Sequence, residues 1–309
     1  MFQEGNMTIE EIEAFMSVVE YKTLSLAAEK LFISQSTISQ RIKRLENELG
    51  VKLFMRQRGQ RTAELTSHGT DLVPIAQQWA SLWRDMYSLH TSSVKTLLSI
   101  GSVDLINNFT FVPLYKKILN LYPDIELAVQ TFHSAEIHSL LENRIIDIGF
   151  VFSQIKYPDI ISRPVYREKM YLITHEGSNY YSGISTSQLD PRKEAYLRWG
   201  ADYELWHGSN WNNSQHMITV NTGSTLIHYL DKPGNWAIGP ISLIRSMQKT
   251  EKIAFYELKE SPPPRICYQL THRYPKPSKL NALNMIEREV EVFASSNENI
   301  CRFEPWMLE

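Results

Sequence analysis

Between Ser34 and Gly50 the chain reads SQSTISQRIKRLENELG, and its side chains are of the kinds that read a polyanion, not of those that turn over a substrate. Ser34 has the type of a helix N-cap. After it Ile38, Ile42, Leu45 and Leu49 recur at spacings of four, three and four, one buried stripe of an α-helix. At about 100° per residue the opposite face carries Ser36, Gln40, Lys43 and Asn47, with Gln35 in the first turn and Arg44 at the edge. Gly50 supplies a left-handed stop. Hydroxyls and amides read base edges while cations neutralise phosphate, so this face suits a DNA major groove. An ordinary amphipathic surface helix carries the same pattern, and the flanking residues decide between the two.

Other chemistry has weaker footing. The chain holds no P-loop, dinucleotide fingerprint, nucleophile elbow or paired-cysteine zinc site. His175-Glu176 begins like a zinc-protease motif, but position 179 is Asn, so the second ligand is missing. His133 and His138 are five apart, off the one-turn spacing of helical metal ligands, and read as surface or capping residues. No catalytic residue, metal or cofactor is therefore expected, and the chain is not read as an enzyme. Cys267 and Cys301 are too few for a secreted disulfide framework. A redox pair between them is the alternative to a buried thiol beside a strand and a loose one in the tail.

The elements that must position the first helix lie on either side of it. Thr8 and Glu11 form a capping box, and Ile9, Ile12, Phe15, Met16 and Val19 mark one face of a preceding helix. Ser25 opens a short second helix, LAAEKLF, whose Ala27 and Ala28 admit a close neighbour, and FIS is the tight turn into Ser34. After Gly50, Leu53 and Phe54 anchor a hairpin with Gly59 at its tip and a returning strand from Thr62 to Leu65. Lys52, Arg56, Arg58 and Arg61 flank that tip as a wing suited to phosphates or a narrow minor groove. The net charge of -2 hides this polarity: residues 1–30 hold two cations against six acids, and residues 35–61 hold seven against two.

The run FMSVVEYKTLSLAAEKLFISQSTISQRIKRLENELGVKLFMRQRGQRTAELTSHG resembles the DNA-binding domain of LysR-type transcriptional regulators, through the Ala-Ala pair, SQSTIS, RLENELG, LFMR and the threonine-rich exit. The resemblance implies that Gln35, Ser36, Thr37, Ser39, Gln40 and Lys43 face double-stranded DNA, with Arg56 and Arg58 in the wing. Ser34, Arg44 and Arg61 complete the expected DNA-binding set. A long helix follows, capped by Thr66 and Ser67, with Leu72, Ile75, Ala76, Trp79, Trp83 and Met86 within about a 100° arc. Two tryptophans on one stripe are large for exposure, so this stripe is expected to pair two subunits. In the resembled family this helix does so, giving a homodimer or homotetramer, with RNA polymerase a further partner the resemblance admits.

At 309 residues the chain exceeds one typical core. No apolar run approaches the roughly 18 residues of a bilayer span, so a cytoplasmic protein without membrane contact is expected. From Thr96 strands and helices alternate: TLLSIGS, a helix from about Asn107 to Leu121, IELAVQTF, SAEIHSLLEN and IIDIGFVF. That rhythm predicts a parallel α/β sheet, with ligands beyond the carboxyl ends of its strands, at Ser102, at His133 with Ser134, and at Phe152. A second unit begins near Ser162. There Asn221, Thr222, Gly223 and Ser224 form a strand-to-helix turn suited to hold a carboxylate or similar anion, or only to cap the helix.

The strand RICYQLTHR and a helix from Ser278 to Ala294 then return to the first lobe, implying a hinged cleft. This pattern resembles the periplasmic-binding-protein-like effector domain of the same family, although RWGADYELWHGSNWNN has no counterpart. The expected organisation is a winged helix-turn-helix at 1–66, a linker helix at 67–94 and an effector-binding domain at 95–309. Its first lobe covers about 95–161 and 268–309, its second about 162–267. The expected function is a DNA-binding transcriptional regulator controlled by a small molecule in that cleft. A redox-responsive regulator using Cys267 and Cys301, or a ligand-independent architectural protein, is the alternative.

Overall fold

The computed structural model describes residues 7–55, 62–88, 95–211, 215–248, 252–297 and 300–302. The chain divides near residue 94 into two compact units. Arg56, Arg58 and Arg61 lie outside the described residues.

The first unit contains α1 (Ile9–Tyr21), α2 (Leu24–Lys30), α3 (Gln35–Leu49), β1 (Phe54–Met55), β2 (Glu64–Leu65) and α4 (Ser67–Ser88). The expected capping box forms, the Thr8 amide donating to the Glu11 carboxylate at 3.1 Å. Helix α2 starts two residues earlier than the sequence suggests: the Thr23 hydroxyl, not that of Ser25, accepts the Leu26 amide at 3.2 Å. Ile12, Phe15 and Val18 of α1 meet Ala27 and Ala28 of α2 and Ile38, Ile42 and Leu45 of α3 in one core. The two alanines are buried, which lets α2 approach closely. β1 and β2 pair antiparallel, Phe54 opposite Leu65, as the stem of the wing.

Helix α4 departs from the expected subunit-pairing stripe. Leu72 and Ala76 are buried in this unit's own core, because that part of α4 packs on α1. The outward residues of the stripe are Ile75 and Met86, joined by Leu82, with exposures of 59%, 51% and 52%. Trp79 and Trp83 are half-buried.

The second unit begins with β3 (Thr96–Ser102), a π-helical turn (Ile106–Thr110), α5 (Val112–Leu121), β4 (Ile125–Thr131), α6 (Ser134–Glu142), β5 (Ile148–Val151) and β6 (Ile160–Glu168). It continues through β7 (Met170–His175), β8 (Ala195–Leu197), α7 (Ala201–Asn210), β9 (Ile218–Val220), α8 (Gly223–Leu226), β10 (Trp236–Pro240), α9 (Ile241–Met247) and β11 (Ile253–Tyr256). It closes with β12 (Arg265–His272), α10 (Leu280–Ser296) and β13 (Cys301–Arg302).

The first lobe is a six-stranded sheet in the order β13-β6-β12-β5-β3-β4. β3 runs parallel to β4 and β5, and β12 antiparallel to β5 and β6. The second lobe has an antiparallel β10-β7-β11 sheet and a parallel β8-β9 pair, joined by a bridge between Glu194 and Trp236. Each lobe has its own core, one around Phe111, Phe150 and Ile286, the other around Trp236, Leu172 and Leu243.

The crossings between lobes lie at the ends of β6 and β12, where Glu168 faces Arg265 across the ladder. The expected boundaries at 161/162 and 267/268 are displaced because β6 belongs wholly to the first sheet. Pro164, which reads as a strand breaker, sits beside an irregularity in the β6-β12 register, where a missing N–H is tolerated.

Candidate nucleic-acid interface and effector cleft

The sequence of α3 dictates its two faces, with one correction. The Ser34 hydroxyl accepts the Thr37 amide at 3.1 Å, and Gly50 ends the helix with φ of 68°. Ile38, Ile42 and Leu45 are buried, but Leu49 is exposed and Glu46 is buried in its place. Glu46 accepts the Lys52 ammonium at 2.6 Å and the Leu53 amide at 3.0 Å. Burial pushes its carboxyl up, but these bonds outweigh burial and hold it below its ordinary value. The acid that closes the helix therefore anchors the wing and is turned away from the outer face.

That outer face presents Ser34, Gln35, Ser36, Ser39, Gln40, Lys43 and Arg44 exposed together, with Thr37 half-buried at its edge. Gln35 is oriented by α2: the Ser25 hydroxyl donates to its carbonyl oxygen at 3.2 Å, leaving the two amide N–H donors for an acceptor outside. Ser34 also lies 2.7 Å from the Ser36 hydroxyl and 2.8 Å from that of Thr37. The face is a set of pre-positioned donors and acceptors flanked by two cations.

In the second unit a cavity of about 430 Å³ opens at the carboxyl ends of β3, β4 and β5, lined from both lobes. His133, Ser134, Phe152, Asn221, Thr222 and Gly223 all line it. Ser102 does not: its side chain is fully buried, and the next two residues, Val103 and Asp104, reach the cavity instead. The sharp turn after β9 is capped as its sequence suggests, the Thr222 hydroxyl accepting the Thr225 amide at 3.2 Å. Its anion position is taken by the protein's own carboxylate. Asp104 accepts the Ser224 amide at 3.2 Å and the Ser224 hydroxyl at 2.9 Å, fastening the first lobe to the second across the cleft.

A cation in the cavity wall is one the sequence reading missed. Arg265, at the return crossing, lies with its guanidinium 3.6 Å from the Phe152 ring centre and 4.6 Å from that of Trp199. The Trp199 indole is itself held by an N–H bond to the Ile238 carbonyl at 2.7 Å. Nε and Nη1 of Arg265 are buried, and no described group accepts their hydrogens. Burial pulls this arginine down to about 10, with the Glu168 charge opposing, so it stays cationic at neutral pH. Burial pushes the Glu168 carboxyl the other way, toward its neutral form. The cleft thus holds a fixed, aromatic-clamped cation with unspent donors. The signal in the sequence was a lone arginine directly after the proline run SPPP, which reads only as a break.

Cys267 is fully buried, and burial pushes its thiol well above the ordinary range, away from the reactive thiolate. Cys267 faces Tyr166 and Cys301 faces Arg167 from opposite sides of β6. Two strand spacings, roughly 9.6 Å, therefore separate them, beyond disulfide reach. His138, expected as a surface or capping residue, is buried, with Nδ1 2.7 Å from the Ser134 carbonyl and Nε2 accepting the Ile155 amide at 3.3 Å.

A winged helix with an exposed polar and cationic helix face, together with a two-lobed α/β unit enclosing a small-molecule cleft, defines a ligand-responsive DNA-binding regulator. Residues 9–70 match the family model described as bacterial regulatory helix-turn-helix protein, lysR family, and residues 92–288 match the LysR substrate binding domain. The chain belongs to the LysR family: it is a DNA-binding transcriptional regulator with an effector-binding domain.

It is 26% identical over 261 residues to the HTH-type transcriptional regulator SoxR of Arthrobacter sp. (strain TE1826), covering 82% of this chain and 87% of that one. It is 31% identical over 165 residues to an uncharacterized HTH-type regulator of Staphylococcus xylosus, covering 52% of this chain and 60% of that relative. The fold matches CbnR, a LysR family transcriptional regulator, with TM-score 0.70 at 17% identity, covering 92% of this chain and 99% of that one. Full-length CbnR complexed with target DNA matches at 0.69 and 18%, covering 93% and 100%. Among the described residues no helix is long and apolar enough to cross a membrane.

Proposed function

We propose that the outer face of α3 reads operator DNA and that the cleft takes an anionic small molecule, in the first place a carboxylate, whose negative group lies against Arg265. The observation that carries the effector half is the buried guanidinium with two unaccepted N–H donors between Phe152 and Trp199. A carboxylate supplies the acceptors that a fork of N–H groups otherwise lacks. His133, Ser134, Asn221, Thr222 and Gly223 surround the remainder of the ligand. Closure would work through Asp104 and Ser224, since a ligand favouring one lobe arrangement must strengthen or break that latch.

In this reading Gln35, Ser36, Ser39 and Gln40 carry base contacts, Lys43, Arg44 and the wing arginines carry phosphate contacts, and the chain performs no turnover. Two copies pair through Ile75, Leu82 and Met86 of α4, the outward apolar residues of that helix. The protein acts in the cytoplasm, where its DNA is. The test is a thermal-shift and calorimetric screen of carboxylates against neutral analogues of the same size. Stabilisation by carboxylates alone is expected, and equal stabilisation by the neutral analogues, or none by any compound, overturns the anion assignment.

A further inference from the structure

Around the segment with no counterpart in the family pattern, His207 within it and Glu194 and His216 on either side of it come together. His207 Nε2 lies 3.0 Å from each Glu194 carboxylate oxygen, and His216 Nδ1 lies 2.8 Å from Oε2. All three donor atoms fall within 4.8 Å of one another. We propose that Glu194, His207 and His216 form a binding site for a divalent transition-metal ion of the zinc type.

Each ligand is held by a different element. Glu194 leads into β8, its amide donating to the Pro191 carbonyl at 2.9 Å and its carbonyl accepting the Met217 and Ile218 amides at 3.0 and 3.3 Å. Those bonds set the backbone after His216 against Glu194. His207 comes from the second turn of α7. The rings are clamped: Tyr196 stacks on His216 at 4.3 Å and 8°, and His207 lies 4.8 Å from both Tyr196 and Trp211. Rings fixed in this way cannot turn their nitrogens outward, so the donors stay aimed at one point.

The electrostatics ask for a cation there. The Glu194 side chain is 0% exposed, and its ion-pair partners are two imidazoles that are charged only when protonated. The carboxylate is enclosed by these two rings and by the Tyr196 and Trp211 side chains packed on them. A buried charge needs a cation or a metal.

A zinc-like ion takes such donors at about 2.0–2.2 Å, which requires the carboxylate and rings to separate by a few tenths of an ångström from their present hydrogen-bonded distances. Each ring passes its inward proton to its other nitrogen and offers a lone pair. Two imidazoles and one carboxylate suit zinc, cobalt or nickel better than the all-oxygen preference of calcium or magnesium. The His216 side chain is 20% exposed, giving an ion its route in and water a fourth coordination position.

The test uses the full chain, stripped with a chelator and titrated with Zn²⁺ by calorimetry at pH 7.5, with Co²⁺ as a spectroscopic probe. One ion per chain and the visible absorption of imidazole-bound Co²⁺ are expected, with His216→Ala lowering Zn²⁺ affinity at least tenfold. Glu194→Gln should abolish binding, and if that variant does not fold, His216→Ala at its half-buried position decides. No Co²⁺ absorption in the wild type, or Zn²⁺ affinity unchanged in His216→Ala, overturns the site and leaves a hydrogen-bonded triad.

Discussion

Replacing Arg265 with Met separates the two roles that a buried cation could have. In the free protein the arginine carries two N–H groups without acceptors, a cost of about 1–3 kcal/mol each. Against this stand two aromatic contacts, worth up to about 2 kcal/mol each when desolvated. The two sums nearly cancel. Burial pushes the neighbouring Glu168 carboxyl above its ordinary value, which lessens the charge left behind when the arginine goes. The variant should therefore unfold within about 2 kcal/mol of the wild type, as expected when an apolar side chain of similar length replaces a buried charge.

Ligand binding should behave differently. Losing one partner of a buried charge pair costs about 2–5 kcal/mol, roughly 30-fold to several thousand-fold in affinity. At a carboxylate concentration 100 times its dissociation constant, the wild type gains about 2.7 kcal/mol. The variant at the same concentration should gain under about 1 kcal/mol. Calorimetry gives the affinity and thermal unfolding the stability. A variant that keeps the full ligand shift, or loses more than about 3 kcal/mol without ligand, would show that Arg265 serves the fold and not the effector.

Lys43→Ala should weaken binding to every DNA sequence and lower the salt slope by about one, whereas Gln35→Ala should relax sequence preference at about 1–3 kcal/mol per lost base contact. Gel shifts against salt and mutated operators distinguish them, and identical behaviour of the two variants would contradict the assigned roles. Glu46, held below its ordinary value in the folded state, stabilises the first unit above its unfolded pKa, and that contribution is lost as pH falls through the folded value. Glu46→Gln should cost about 1–2 kcal/mol at pH 7 and flatten the acid limb of a pH-stability curve; an unchanged limb refutes the anchor. Ile75→Lys with Met86→Lys should shift the mass by sedimentation toward the monomer, and an unchanged assembly would place pairing elsewhere. Peroxide should leave DNA affinity unaltered, since Cys267 is buried and lies two strands from Cys301; a change reversed by thiol would revive redox control.

What was legible in the chain was whatever its local periodicity determines. The cap at Ser34, the stop at Gly50 and the βαβαβ rhythm from Thr96 all rest on residues within one or two turns of each other. The errors fall where a distant partner decides. Leu49 completes a helical stripe on paper, but Lys52 and the Leu53 amide draw Glu46 inward instead. Leu72 and Ala76 read as a free face until α1 covers them. Helix α7 has polar, aromatic and glycine residues without a clean apolar stripe, and its buried Tyr203 and His207 pack on Tyr196 of β8.

Sites assembled by tertiary convergence are the least visible of all. Asp104 and Ser224 are 120 residues apart; the turn from Asn221 marks the second as a place for a carboxylate, but nothing beside Asp104 marks it as the carboxylate that fills the turn. Glu194 stands 13 residues before His207 and 22 before His216, a spacing that no helical or hairpin metal motif predicts. Only the parallel pairing of β8 with β9 brings His216 beside Glu194, and only α7 folding back over that pair delivers His207. β8 has Glu194 at one end and leads at the other into Arg198, Trp199 and Gly200 of the cleft wall. An ion at Glu194 and an anion at Arg265 would thus meet the two ends of one three-residue strand.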